Sequence, residues 1–374
     1  MASIQKRPDG VWRARYRDQA GKEHARHFQR KVDAQRWLDE VTASVVTGTY
    51  VDPKATRTTF KAYAEKWRAV QVFRPSTAAL VEVALKRRVY PVIGDMPLNA
   101  IRPDTVQGLV STLAESYAPA TIEVTYSYVA TVMKSAVMNN LLAKTPCIGI
   151  KVPKVEKTRI RLVTTDEMLA IADAMPDHLR ALVILAGGTG LRQGEAFGLT
   201  VDRVDFLRRT VRVDRQLLGI DCDGAPIFGP PKTDASIGTV PLPSTVADEI
   251  SLHLQHHPVD DHGLIFRGGR GAPLRRNTFG PVWAKAVSVA KLEGVVFHQL
   301  RHHYASVLIA SGASVKTVQA NMRHKSAQET LDTYGHLWPD SDDQTRTAID
   351  AAIRASANLA DSVRTHPHQG QQIT

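Results

Sequence analysis

Between residues 58 and 145, apolar side chains return every three or four positions in short runs, and prolines restart those runs. Phe60, Tyr63, Ala64 and Trp67 fall on one helical face. Val106, Leu109, Val110 and Leu113 repeat the pattern after Pro103, and Ile122, Tyr126, Val129, Met133 and Val137 repeat it after Pro119, prolines being well suited to the first turn of a helix. Ser76 is expected to cap a further helix ending in Lys86-Arg87-Arg88. Each such helix has one apolar stripe and cannot bury it alone, so the stretch is expected to pack as a helical bundle.

The flanking regions read differently. Residues 11–17 alternate, placing Trp12, Ala14 and Tyr16 on one face of a strand and Arg13, Arg15 and Arg17 on the other. After a turn at Gln19-Ala20-Gly21-Lys22, a second strand carries His24, Arg26 and Phe28. Ala34, Trp37, Leu38, Val41 and Val45 then follow helical spacing up to Gly48. A basic connector, Lys151 to Arg161, is expected to be extended and outside any core. Beyond it, Thr164-Thr-Asp-Glu167 has the form of a capping box. Strands are expected over Arg208–Leu217, at Ile227-Phe228 and over Thr239–Leu242, with helices from Ser244 onward. The fold class is therefore multidomain, mainly α with small β-sheets. Its parts are 1–52, 58–146, a linker 147–161, 162–345, and a tail 346–374 that is expected to be weakly ordered from about Ala355.

Charge narrows the function. The first 161 residues carry 27 basic against 14 acidic side chains, whereas residues 162–338 balance. A localised surplus of this kind suits a polyanion, because neutralising phosphates releases counterions, although a solvated basic surface is the plainer alternative. Candidate DNA contacts are Arg13, Arg15, Arg17, Arg26, Lys86, Arg87, Arg88, Lys151 and Lys154. Two cysteines, Cys147 and Cys222, make neither a disulfide framework nor a zinc site by themselves. The start MASIQKRPDG has no apolar signal region, and no run approaches a membrane span, so the cytoplasm is expected.

Four short segments carry chemistry. In Gly187-Gly-Thr-Gly-Leu-Arg192-Gln-Gly-Glu195 a Gly-rich turn is expected to open a helix, with Arg192 beside free backbone N–H groups that suit one phosphate, or else paired to Glu195. The segment lacks the Lys-Ser/Thr ending of a nucleotide-binding loop. Lys232 is expected at a hairpin tip. His298-Gln-Leu-Arg301-His302 spaces two histidines as in zinc proteases but lacks the general-base glutamate. The last segment runs from Arg323-His324-Lys-Ser326 to Leu331-Asp-Thr-Tyr334-Gly-His336.

In this order, Arg192, Lys232, His298-x-x-Arg301, His324 and Tyr334 resemble the tyrosine recombinase family, in particular phage integrases of the three-part kind. The family's Thr-Gly-Leu-Arg-x-Gly-Glu stands as Thr189–Glu195 and its His-x-Leu-Arg-His as His298–His302. Arg323 replaces a usual glycine, Gln299 a frequent aspartate, and Gly238 an arginine often found after the hairpin lysine. The resemblance implies an arm-binding domain made of a three-stranded sheet plus a helix, a helical core-binding domain, and a mixed catalytic domain.

It also implies the reaction. Cutting a phosphodiester with protein groups alone takes an in-line nucleophile, positive charge around the phosphorane and a proton for the leaving 5′-oxygen. Tyr334 would be the nucleophile, giving a 3′-phosphotyrosine. Arg192 and Arg301 would hold the phosphate, Lys232 would be the acid, and His298 and His324 would orient the phosphate and shuttle protons. His302, His303 and His336 are left as supporting or structural, with His336 close behind the nucleophile. No metal or other cofactor is expected. Expected partners are double-stranded DNA attachment sites, a homotetramer formed on DNA, a host DNA-bending protein and an excisionase. The tail, with Ala348, Ile349, Ala352, Ile353 and Leu359, would dock on a neighbouring copy or on its own domain. A dimer-resolving recombinase and a binding-only regulator are the alternatives.

Overall fold

The computed structural model describes residues 2–17, 21, 23–46, 58–156, 161–338 and 345–354 except 348. The expected turn at Gln19, Ala20 and Lys22, the stop at Gly48, the tail beyond 354 and the side chain of Val45 lie outside the described residues. The chain forms two compact units, residues 1–158 and 159–374.

The first unit contains two separate apolar clusters. Strands β1 (Ser3–Lys6), β2 (Trp12–Arg17) and β3 (Glu23–Phe28) form an antiparallel sheet in that order, and helix α1 (Lys31–Val46) packs against it. Ala14, Tyr16, Ala34 and Leu38 are the buried members, so the alternation in β2 does set an apolar face against the helix. The pairing puts Ser3 opposite Arg15, Gln5 opposite Arg13 and His27 opposite Arg13. One face of the sheet therefore carries Arg13, Arg15, Arg17 and His27. Arg26 pairs with Ala14 and lies on the other face, its guanidinium 5.4 Å from the Phe28 ring. That separates it from the other three arginines.

The helical stretch folds as its periodicity requires. Helices α2 (Phe60–Ala69), α3 (Pro75–Ala84), α4 (Tyr90–Ile93), α5 (Pro103–Ala114) and α6 (Pro119–Met138) surround one cluster that includes Phe60, Trp67, Leu109, Ile122 and Met133. Two expectations change. Helix α3 begins with Pro75 behind Arg74, not with a Ser76 cap, because proline has no N–H to satisfy there. The helix also continues past Lys86-Arg87-Arg88. Residues Leu85–Val89 form one π-helical turn, with Tyr90 N–H donating to Leu85 O, and lead directly into α4. Pro91 cannot donate within a continuing helix, and the widened turn absorbs that loss while Leu85, Val89 and Ile93 stay buried. The start of the expected linker also belongs to this cluster. Cys147, Ile150 and Val152 pack against it, Tyr126 Oη donates to Cys147 O at 3.1 Å, and Lys151 N–H donates to Gln107 Oε1 at 2.9 Å.

The second unit opens on the expected capping box: Glu167 N–H donates to Thr164 Oγ1, and Thr164 N–H donates to Glu167. Helices α7 (Thr165–Ala174), α8 (Asp177–Thr189) and α9 (Gln193–Phe197) precede the sheets. Strands β4 (Val204–Asp205), β5 (Thr210–Val213) and β8 (Gly238–Pro241) form one sheet, and β6 (Gln216–Ile220) pairs only with β7 (Pro226–Gly229). The single strand expected over Arg208–Leu217 is thus two strands in two sheets. They part at Asp214, which is engaged by Arg203 and Arg212. Helices α10 (Ser244–His256) and α11 (Arg276–Val289) complete the larger core. Helices α12 (Gln299–Ala310), α13 (Val315–Met322) and α14 (Ala327–Tyr334) enclose a second cluster of Tyr304, Ala305, Ile309, Val318, Met322 and Tyr334.

Candidate active site

Three chain segments far apart in sequence meet where α8 ends, α12 begins and α13 stops. At the first, Gly187 and Gly188 lie inside α8, where a Cβ would strike Met168 and Val246, so they are packing glycines and the expected loop is shorter. The turn itself is made by Gly190, at φ 63°, where a Cβ would stand 2.4 Å from the Tyr304 ring; both facts require glycine. Arg192 follows as the residue that caps α9. Its backbone N–H donates to Glu195 Oε2 at 3.0 Å, so a carboxylate already takes an N–H that the sequence reading offered to a phosphate. The Arg192 guanidinium donates to Glu195 Oε1 at 3.1 Å and to Ser236 Oγ at 3.0 Å.

Arg301, on the first turn of α12, is 3% exposed. Its Nη1 donates to Gly190 O at 2.5 Å and its Nη2 to Met322 O, so one guanidinium ties the end of α8 to the end of α13. Arg323 caps α13 at φ 52°, the left-handed conformation that explains a glycine at this place in the family pattern. Its buried guanidinium donates to Glu195 Oε2 at 2.5 Å. A Cβ at Gly238 would lie 3.8 Å from Arg323 Cδ, an ordinary contact, so the two departures from the family pattern at 238 and 323 are neighbours in space. Glu195 thus holds the Arg192 guanidinium with Oε1, and with Oε2 both the Arg323 guanidinium and the Arg192 backbone N–H. Burial, followed by repulsion from Arg192 and Arg323, works against the charge on Arg301, and Glu195 offsets it only in part.

Tyr334 ends α14 and is 2% exposed. Its hydroxyl lies 2.6 Å from His302 Nδ1, and its ring stacks on His324 with centroids 6.3 Å apart. His324 Nδ1 in turn contacts Thr330 Oγ1 at 2.9 Å. Burial pushes the Tyr334 hydroxyl up to about 12, with Arg301 pulling the other way. Burial also lowers His302 to about 4, helped by His298 and Arg301, and lowers His324 to about 4, helped first by Arg301.

At neutral pH the nucleophile candidate is therefore a protonated phenol beside neutral imidazoles. Because both histidines bind protons more weakly folded than unfolded, stability is full above about pH 6.5 and falls as pH drops toward 4. Unfolding measured between pH 7.5 and 4.5 should lose up to about 1.4 kcal/mol per pH unit for each histidine, and His302→Asn should flatten that slope.

Of the six residues singled out by sequence, the structure brings Arg192, Arg301, His324 and Tyr334 into one contact network, and His298 joins its edge through the ring of His302. His298 sits at the start of α12, exposed, with its ring 5.0 Å from that of His302. Lys232 is exposed and stands in the connection between the β6–β7 pair and β8, not at a hairpin tip, since Pro230 and Pro231 end β7. The sequence reading undervalued His302, which touches the Tyr334 hydroxyl, and missed Ser236 and Thr233. Its position one helical turn after His298 was the available signal for His302. His303 donates to or accepts from nothing in this network; its Nδ1 lies 2.8 Å from Val163 O, and His336 is exposed.

Among the described residues no helix is long and apolar enough to cross a membrane. Comparison with known proteins covers the chain in three parts. The phage integrase N-terminal domain matches residues 2–47, the phage integrase central domain residues 60–152, and the phage integrase family residues 161–340. A tyrosine recombinase XerC-like protein of Caldanaerobacter subterraneus subsp. tengcongensis is 31% identical over 59% of this chain and 63% of its own length. The integrase of Mycobacterium phage D29 is 24% identical over 82% of this chain and 84% of its own.

Among solved structures, the Tn1549 transposon integrase in complex with a circular intermediate DNA superposes with TM-score 0.67 at 18% identity, covering 79% of this chain and 99% of that one. A lambda integrase dimer bound to a COC′ core site gives 0.60 at 19% identity, covering 90% and 96%. Matched in order along its length by three domains of one architecture, the chain belongs to the phage integrase family, the tyrosine-type site-specific recombinases.

Proposed function

We propose that this recombinase joins a phage or mobile element to a target by cutting DNA at attachment sites through a 3′-phosphotyrosine. The observation that carries the residue roles is the buried Tyr334 hydroxyl, hydrogen-bonded to a neutral imidazole beside three guanidinium groups, with Glu195 the only buried carboxylate among the described residues to balance them. Such a site favours an anion whose negative charge grows during reaction.

In this reading Tyr334 Oη attacks the phosphorus and passes its proton to His302 Nδ1. Arg192 and Arg301 bind the non-bridging oxygens, with His298 and His324 donating to the same group. The P–O5′ bond breaks, and the 5′-oxygen takes a proton from Lys232. The freed 5′-hydroxyl of a partner strand reverses the step, so the bond energy is retained. The protein groups suffice for this chemistry without metal.

The three parts 1–52, 58–146 and 162–345 serve arm-type binding, core-site binding and catalysis, with 147–161 joining the last two. Arg13, Arg15 and Arg17 would contact arm DNA, and Arg26 would reach DNA only from the other side of the sheet. Lys86, Arg87, Arg88, Lys151 and Lys154 would contact the core site. Arg87 is the freest of the first three, since Lys86 pairs with Glu82 and Arg88 donates to Thr125. A homotetramer on DNA, a host bending protein, an excisionase and a cytoplasmic setting complete the proposal. A solved lambda integrase structure is a tetramer bound to a Holliday junction. Ile349 and Ile353, 56% and 63% exposed, suit the tail for docking on a neighbouring copy.

The test is covalent trapping on nicked attachment-site or genomic-junction DNA in EDTA, followed by mass spectrometry of the adduct. The expected product is a peptide carrying a 3′-nucleotide on Tyr334. Tight, salt-sensitive binding with no adduct would leave the binding-only regulator standing.

A further inference from the structure

The connection that carries Lys232 is tied to the phosphate-binding arginine through two hydroxyls. Ser236 is completely buried, and its Oγ accepts a hydrogen bond from Arg192 Nη1 at 3.0 Å. A guanidinium only donates, so the Ser236 proton remains to be placed, and a buried hydroxyl hydrogen seeks an acceptor. The available one is Thr233 Oγ1, 2.9 Å away. The chain therefore runs from Arg192 to Ser236 to Thr233, and Thr233 is the residue next to Lys232.

The backbone is braced in the same place. Ser236 N–H donates to Thr233 O at 2.9 Å, and Ile237 N–H donates to Asp234 O at 3.0 Å, making one tight 3₁₀ turn. On the other side of Lys232, Pro230 O accepts from Gln216 Nε2 at 2.9 Å. The Lys232 side chain itself is exposed and has no side-chain partner among the described residues. Its reach is consequently decided by how its backbone is held.

We propose that Ser236 and Thr233 are positioning residues that keep the Lys232 loop in register with Arg192, so that the acid meets the 5′-oxygen of the phosphate that Arg192 binds. This rests on the roles given above to Lys232 and Arg192. When Tyr334 Oη bonds to phosphorus and the P–O5′ bond breaks, the electron pair goes to O5′, which needs the Lys232 proton. If sulfur replaces that bridging oxygen, the pair leaves as a thiolate and needs no proton. A loop that misplaces only its acid is then harmless, whereas damage to phosphate binding by Arg192 persists.

The experiment is single-turnover cleavage by the full-length protein of two nicked substrates, one with the ordinary 5′-oxygen and one with a 5′-bridging sulfur. Lys232→Ala, Ser236→Ala and the near-isosteric Thr233→Val are compared with the unaltered chain. Lys232→Ala should slow oxygen cleavage by about 10²–10⁴-fold and recover with sulfur. Thr233→Val should slow it by about 10–100-fold, roughly one to two tenfold steps in a proton-transfer contribution of that size, and recover with sulfur. Ser236→Ala should slow it at least as much and recover only in part, because it also removes an Arg192 partner. Thr233→Val is the sharper arm because it leaves every Arg192 contact in place.

Equal losses on both substrates for Ser236→Ala and Thr233→Val, or no loss on either, would overturn the positioning role. If Lys232→Ala itself fails to recover with sulfur, Lys232 is not the acid. The role given to it falls with that result, and so does the tie to it, and the pattern is distinguishable from failure of the two hydroxyls alone.

Discussion

With phenylalanine at position 334 the protein is expected to fold and bind DNA as before while strand cleavage falls by roughly 10⁴-fold or more. The ring stays where it is: Tyr334 packs with Tyr304, Ile309, Val318 and Met322 and stacks on His324, none of which involves the hydroxyl. The substitution removes one hydrogen bond, to His302, worth about 1 kcal/mol net. Activity and stability should therefore separate almost completely. Single-turnover cleavage of a nicked substrate, set beside urea unfolding of the same variant, measures both. Persistent cleavage would place the nucleophile elsewhere, and a large loss of stability would mean that the hydroxyl supports the fold.

Removing Glu195 should do the opposite and damage both. Glu195 is 4% exposed and Arg323 5%, and their ion pair at 2.5 Å is the strongest charge pairing of the Arg323 guanidinium. Glu195→Ala leaves that charge buried and uncompensated, a change that typically costs about 3–5 kcal/mol. At roughly 2–4 °C per kcal/mol for a unit of this size, Tm should fall by about 10 °C. Arg192 loses its anchor at the same time, so cleavage should fall even at temperatures where the variant is folded.

The double variant Glu195→Ala with Arg323→Gly separates the two effects. Glycine accepts the left-handed backbone at 323 and removes the stranded charge, so stability should return in part while cleavage stays low. A double variant no more stable than Glu195→Ala would mean that the loss came from packing and not from the buried charge.

These expectations depend on features that differ in how visible they are in the chain. The helices of residues 58–145 are legible because a helical stripe is a local pattern, and Phe60, Trp67, Leu109 and Met133 are buried as their spacing requires. The capping box at Thr164–Glu167 and the prolines opening α5 and α6 are local in the same sense. Where a local signal competed with burial, burial prevailed. The helix expected to stop at Arg88 instead widens by one turn and runs on, because Val89 and Ile93 belong to the core.

The reacting groups were legible as residue types in a recognisable order, and that is what the sequence alone determined: a basic three-part chain with two arginines, a lysine, histidines and a terminal tyrosine in its last half. Their partnerships were not. Arg301 meets Gly190 across 111 residues, Arg323 meets Glu195 across 128, Arg192 meets Ser236 across 44, and His302 meets Tyr334 across 32. No periodicity encodes such pairings, since they depend on how α8, α9, α12, α13, α14 and the β7–β8 connection pack together and not on any one of them. Only the tertiary structure decided that Glu195 serves two arginines, that His302 rather than His298 touches the tyrosine, and that Arg26 faces away from Arg13. The physical reason is common to the first two, while the face of Arg26 follows from the register of β3 against β2. Secondary structure follows from spacing along the chain, whereas a charge or a hydroxyl finds its partner through the burial that the whole fold imposes.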